Sequence, residues 1–167
     1  LPLNAEFDTL SLVDAKGTVL HRIHNPDAFG DSLQDHPLVR RALASGQPAS
    51  GTIVRDAAAL ARESPRLARA AAIAPFEAND PARATPLLSD GMLIATAIPI
   101  RHGNTTVGAL IGATLLNGHD ELVDLIKDDV FQGESFEGRE IGSTTLFLGD
   151  VRIATNVRTA DGRRATG

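Results

Sequence analysis

Along the 167-residue chain the spacing of apolar and polar positions changes several times, and each change marks an element. The strongest signal is GMLIATAIPIRHGNTTVGALIGATLLN, residues 91–117. Two apolar runs rich in β-branched residues, 92–100 and 105–116, flank the turn 101–104, whose His-Gly-Asn core is loop chemistry. Both runs are too short for membrane-spanning helices and predict two adjacent antiparallel strands at the centre of a sheet. In the first run Leu93, Ala95 and Ala97 alternate with Met92, Ile94, Thr96 and Ile98. Neither face is plainly solvated, so both are expected to be covered. Small side chains on a buried sheet face are further expected to leave a pocket.

The remaining elements follow in order. Residues 9–13 and 18–24 read as a hairpin around the turn Asp14-Ala-Lys-Gly17, closed by Asn25-Pro26-Asp27. Strict alternation places Val19, His21 and Ile23 on one face of the return strand, and Leu20, Arg22 and His24 on the other. His36-Pro37 opens a helix carrying Leu38, Val39, Ala42 and Leu43, which Gly46 and Pro48 close. A short third strand is expected over 51–54. Asp56 then caps an Ala- and Arg-rich helical stretch that Ser64-Pro65 interrupts, followed by a loop over 76–86. After the central strands, residues 119–131 are amphipathic, with Leu122, Leu125, Ile126 and Val130 on one side. Residues 132–140 read as a linker, and 143–148 with 151–157 as a second hairpin.

The two hairpins, TLSLVDAKGTVLHRIHNPDAFG and TTLFLGDVRIATNVRTADG, form a weak internal repeat. The expected organisation is one complete unit over residues 1–117. Residues 118–167 would supply a connecting helix and the first hairpin of an incomplete second unit.

Composition changes this picture mainly by exclusion. With 43% hydrophobic and 22% charged residues the chain is of ordinary globular type, and a net charge of −5 argues against a nucleic-acid partner. The absence of Cys removes disulfides and thiolate metal sites, and the five His have no ligand-like spacing. No nucleophile motif occurs, so neither catalysis nor a cofactor is expected. The glycines of Val107-Gly-Ala-Leu-Ile-Gly112 lie within a strand, where they suit close approach of another element. The charges Arg62, Arg66 and Arg69 fit a solvated helix face.

One constellation suggests binding. Arg22 and His24 on one strand face, with Asp31, His36 and Arg40 soon after, form a cationic cluster beside the small-residue face of Ala95 and Ala97. Such a cluster suits a small carboxylate, because Arg offers a planar two-pronged donor. The competing reading leaves Arg22 and His24 on the solvated face of an edge strand.

The order strand, strand, helix, strand, irregular excursion, strand, strand resembles the PAS-like Cache sensor domains. The resemblance rests on VDAKGTVLHRIHNP, GDSLQDHPLVRRALASG, AIPIRHGNTTVGALIGATLLN and TTLFLGDVRIATNVRTADGRRATG, the last being similar to methyl-accepting chemotaxis proteins. It implies an α+β fold: a five-stranded antiparallel sheet flanked by helices, with a long helix before the first strand whose exit would be residues 1–5. It also implies a periplasmic, non-catalytic input domain of an inner-membrane chemoreceptor, anchored by transmembrane segments outside these residues and able to form a homodimer. The ligand would be a small organic acid. Relatives that bind dicarboxylates or citrate often carry basic residues on the strand matching 93–99. Ala95 and Ala97 stand there instead, which favours acetate or propionate held by Arg22, His24 or nearby amides. The alternatives are the input domain of a sensor histidine kinase, or a structural or dimerisation module with no ligand.

Overall fold

The computed structural model describes residues 7–74, 87–137 and 139–167. The loop expected over 76–86 and the helix exit expected at residues 1–5 lie outside the described residues. Five strands form one sheet: β1 (Thr9–Asp14), β2 (Val19–Arg22), β3 (Ala49–Arg55), β4 (Gly91–His102) and β5 (Thr105–Leu115). Their order is β2-β1-β5-β4-β3 with every pairing antiparallel, so the two long central strands lie side by side as their patterning predicts. This is the α+β architecture, a five-stranded antiparallel sheet flanked by helices, that the resemblance implied.

Helices α1 (Pro37–Ser45), α2 (Ala57–Glu63) and α3 (Pro65–Ala71) contribute to one core with the inner sheet face. Each begins where local chemistry allows. His36 caps α1 and Pro37 occupies its first turn, Asp56 caps α2 through Ala59 N–H at 2.7 Å, and Ser64 caps α3 ahead of Pro65. Gly46 ends α1 in the left-handed conformation (φ 64°) that glycine adopts without penalty. Helix α1 packs across β3, β4 and β5, burying Leu38, Val39 and Ala42 against Ala49, Ala95 and Ala97.

That packing corrects the first expectation about the small-residue face. Ala95 and Ala97 line none of the cavities described here; they let a helix come close, and both are buried in the core that it shares with the sheet. The expectation that both faces are covered is also corrected. Among the described residues Val54, Ile94, Ile98 and Ile100 lie exposed on the outer face, because all three helices stand on the inner one. The glycines behave as read: a Cβ on Gly108 would sit 2.3 Å from Val13 O, and one on Gly112 would meet the ring of Phe7 at 3.0 Å.

A third correction concerns β2. The register pairs Val13 with Val19 but Leu12 with His21, so the return strand carries one extra residue at Leu20. The bulge breaks strict alternation: Val19 and Arg22 are buried together, while Leu20, His21 and His24 are exposed. The strand ends at Arg22, and Arg22 and His24 do not share a face.

Asn117 ties the end of β5 into the core. Its side chain accepts from Met92 N–H at 2.9 Å and donates to Ala71 O at 2.7 Å and Asp90 O at 3.0 Å, so a buried amide is satisfied on three sides. Beyond it lie α4 (Asp120–Phe131), a two-residue pair β6 (Ser135–Phe136) with β7 (Arg139–Glu140) where a plain linker was expected, and the hairpin β8 (Thr145–Leu148) with β9 (Val151–Thr155). Arg164 grips Asp124 with two bonds, 2.8 and 2.6 Å, and holds the hairpin segment to α4. Of the apolar side chains of α4 Val123 is the buried one; Ile126 and Val130 follow it on the same helical stripe but are exposed, as is Leu125.

Candidate ligand-binding site

The bulge in β2 turns Arg22 inward, where it is 1% exposed and the largest fully buried side chain among the described residues. Its guanidinium makes a two-pronged pair with Asp31, at 2.7 and 2.9 Å, and donates through Nε to Glu63 at 3.0 Å and to Ala28 O at 2.7 Å. Ser11 donates its hydroxyl to the other Glu63 oxygen. Asp31 is delivered by the chain after β2, which returns along the free edge of that strand through Val19 N–H to Asp31 O and Gly30 N–H to Val19 O. Glu63 comes from the last turn of α2, whose final carbonyls also accept from Asn25. Burial pushes the Arg22 guanidinium down, but the bonds and charges of Asp31 and Glu63 outweigh that and raise it above its ordinary value. The same bond from Arg22 holds the Asp31 carboxyl below the usual carboxylate range.

Beside this clasp, between the sheet and the helices, lies an internal cavity of about 30 Å³. Ile53, Leu93, Ile111 and Ala113 form its sheet side, Leu33, Ala59 and Leu60 the opposite side, and Thr9, His36, Arg55 and Glu63 bring polar groups to it. An open groove of about 340 Å³ runs outside it, lined by Arg22, Asp31, Asp56 and Arg62 among others, and shares Leu33, Arg55 and Ala59 with the cavity. The cavity and the groove therefore meet at Arg55.

Two donors at that meeting point differ from Arg22. Arg55 ends β3 on the phase of Ala49, Gly51 and Ile53, half-buried, and among the described residues it pairs with no carboxylate. His36 is buried, and its Nδ1 accepts the Val39 N–H that starts α1, at 3.5 Å. That bond leaves the imidazole proton on Nε2, as a donor. Burial, and then the nearby Arg55 charge, push the His36 pKa down to about 4. Near neutral pH the site therefore offers two donors, the Arg55 charge and one neutral N–H, beside a Glu63 carboxylate that Arg22 already answers, and such a pair of donors suits a single carboxylate.

The structure distributes the sequence-predicted residues over five places. Arg22 is committed to its own carboxylates. His24 is exposed on a separate surface groove with Phe7, Ile23 and Arg66. Arg40 is exposed on α1, and Ala95 with Ala97 lies under that helix. Only His36 lines the cavity. Arg55 was missed, although β-strand alternation in ASGTIVR signals it: the one charge in the strand falls on the inward phase.

Two outcomes follow from this geometry. Arg22→Ala strands two part-buried carboxylates, and denaturant unfolding should show a loss of about 3–5 kcal/mol; a loss below about 1 kcal/mol would contradict the clasp. For His36 the unfolded imidazole takes up its proton near 6.5, while the folded one resists until about 4. The unfolded state binds more protons across that window, so stability falls as pH drops through it, by on the order of 3 kcal/mol. His36→Asn keeps a capping side chain and removes the titration, so its stability should fall less between those pH values; parallel curves would contradict the assignment.

Residues 3–130 match the family described as a double sensory domain of two-component sensor kinase (dCache_3), and residues 114–167 match single cache domain 3 (sCache_3_3). No curated protein and no solved structure matches the chain. No helix among the described residues is long and apolar enough to cross a membrane. Cache domains are extracytoplasmic, ligand-binding and non-catalytic, and the inward-facing donors described above lie between the sheet and helices of such a unit. The chain belongs to the dCache_3 family of extracytoplasmic Cache sensor domains.

Proposed function

We propose that the chain senses a small monocarboxylate, of the acetate or propionate kind, with the carboxylate held between Arg55 and the Nε2–H of His36. The observation that carries this reading is the unpaired, half-buried Arg55 at the mouth of a largely apolar cavity. A single cation with one neutral donor matches one negative charge, whereas a di- or tricarboxylate would leave charge unmatched. Arg22 serves this site indirectly, by holding the end of α2 in place.

Binding would act by population shift: the ligand favours the packing in which α2 closes on the sheet, and the change passes along the chain to an output domain. The description of the matched family names a two-component sensor kinase, which supports a histidine kinase output over a chemoreceptor. The division into a sensor unit over 1–117 and the start of a second over 118–167 is part of the same proposal; the separate match of 114–167 is in keeping with it. A ligand-free dimerisation module is the second reading, favoured by the exposed Val54, Ile94 and Ile98 of the outer sheet face.

A thermal-shift screen against short acids, dicarboxylates and amino acids separates these readings. Acetate or propionate at a hundred times its dissociation constant should add about 2.7 kcal/mol of stability. Arg55→Gln should abolish that gain while leaving the unliganded protein nearly as stable, since Arg55 has no carboxylate partner among the described residues to strand. A flat screen joined to concentration-dependent dimerisation would favour the module without ligand.

A further inference from the structure

We infer that the alkyl chain of the ligand points inward from Arg55 and that Leu60 sets the longest chain the sensor accepts; this rests on the carboxylate reading above. From Arg55 a ligand has two directions open to it. Outward lies the open groove, whose wall is mainly charged and polar, with Arg22, Asp31, Asp56 and Arg62 beside the smaller apolar share of Leu33, Ala58 and Ala59. Inward lies the cavity, whose wall is mainly apolar, with Ile53, Leu60, Leu93, Ile111 and Ala113 alongside the polar groups of Thr9, His36 and Glu63. An alkyl group leaves water more completely in the second direction, where the apolar share of the wall is larger.

Size then limits the ligand. A cavity of about 30 Å³ accepts little more than two water-sized groups. A two-carbon acid already fills that space, and each further methylene must displace a wall. The sheet side consists of residues in the paired strands β3, β4 and β5, which cannot recede separately. Across from it Leu60, 1% exposed, is the largest apolar side chain that α2 contributes. Its Cδ1 rests 2.9 Å from where a Cβ on Gly91 would stand, with Leu115 Cδ1 at the same distance. The leucine is therefore seated close against the start of β4, where the missing side chain of Gly91 makes room for it. Ile111 opposes it from β5. Leu60 and Ile111 are specificity-determining residues in this reading.

Calorimetric titration of the 167-residue chain with acetate, propionate and butyrate tests the inference. In the parent protein the dissociation constant should rise at least tenfold from acetate to butyrate. In Leu60→Ala butyrate should bind at least tenfold more tightly than in the parent, and acetate no more tightly. If Leu60→Ala does not fold, Ile111→Val provides the milder change and should move the preference two- to threefold from acetate towards propionate. Butyrate binding the parent as well as acetate would place the chain in the outer groove and overturn the inference. An unchanged order of acids in the folded variants would overturn it too. Acetate binding that Arg55→Gln abolishes, without any chain-length shift in the variants, sinks the inference alone. No binding of any acid by the parent sinks the carboxylate reading and the inference together.

Discussion

The buried guanidinium of Arg22 is the interaction on which the ligand side of this fold depends. A charge 1% exposed is tolerated only when its donors are answered, and Asp31, Glu63 and the Ala28 carbonyl answer four N–H directions between them. Those partners come from three places: the chain returning past β2, the end of α2, and the turn before it. One side chain thereby fixes the height of α2 above the sheet, and so the depth of the cavity beneath Leu60. Arg62 adds a longer contact to Asp31 at 3.3 Å, but at 61% exposed it is screened by solvent and counts for little.

The division of labour among the arginines follows from where carboxylates lie. Arg22 is paired on arrival, which makes it a structural cation that leaves no net charge to offer a ligand. Arg55, which among the described residues forms no ion pair although Asp56 follows it in the chain, keeps its charge available at the point where cavity and groove meet. His36 complements it because its ring is held neutral by burial and by that neighbouring charge, while its Nδ1 is used by the cap of α1. The same histidine thus joins the start of a helix to the site, so an event at Nε2 reaches α1 without an intermediary.

Much of the fold was legible in the chain. The β4–β5 pair, the His36-Pro37 helix start, the Ser64-Pro65 break and both hairpins are written in local chemistry that the structure keeps. The order of these elements also sufficed to place the chain among Cache domains. The site was less legible, for three physical reasons. A single-residue bulge at Leu20 reversed the phase of β2, and alternation alone cannot foresee an inserted residue. Ala95 and Ala97 read equally as space and as a seat for a helix, and the choice depends on α1, which is distant in sequence. Arg55 was readable from the alternation of its own strand, but the expected strand stopped one residue short of it. The apolar pattern of α4 likewise did not tell which of its positions is covered: Val123 is buried, while Ile126 and Val130 on the same stripe are exposed.

The central claim is that Arg55 holds the ligand while Arg22 holds the protein. It is tested most directly by following the arginine Nε–H resonances of the labelled chain by NMR during an acetate titration. The account predicts that the Arg55 signal moves and saturates with the ligand, while the Arg22 signal stays in place and exchanges slowly with solvent throughout. An Arg22 signal that moves with acetate beside an unchanged Arg55 would contradict it.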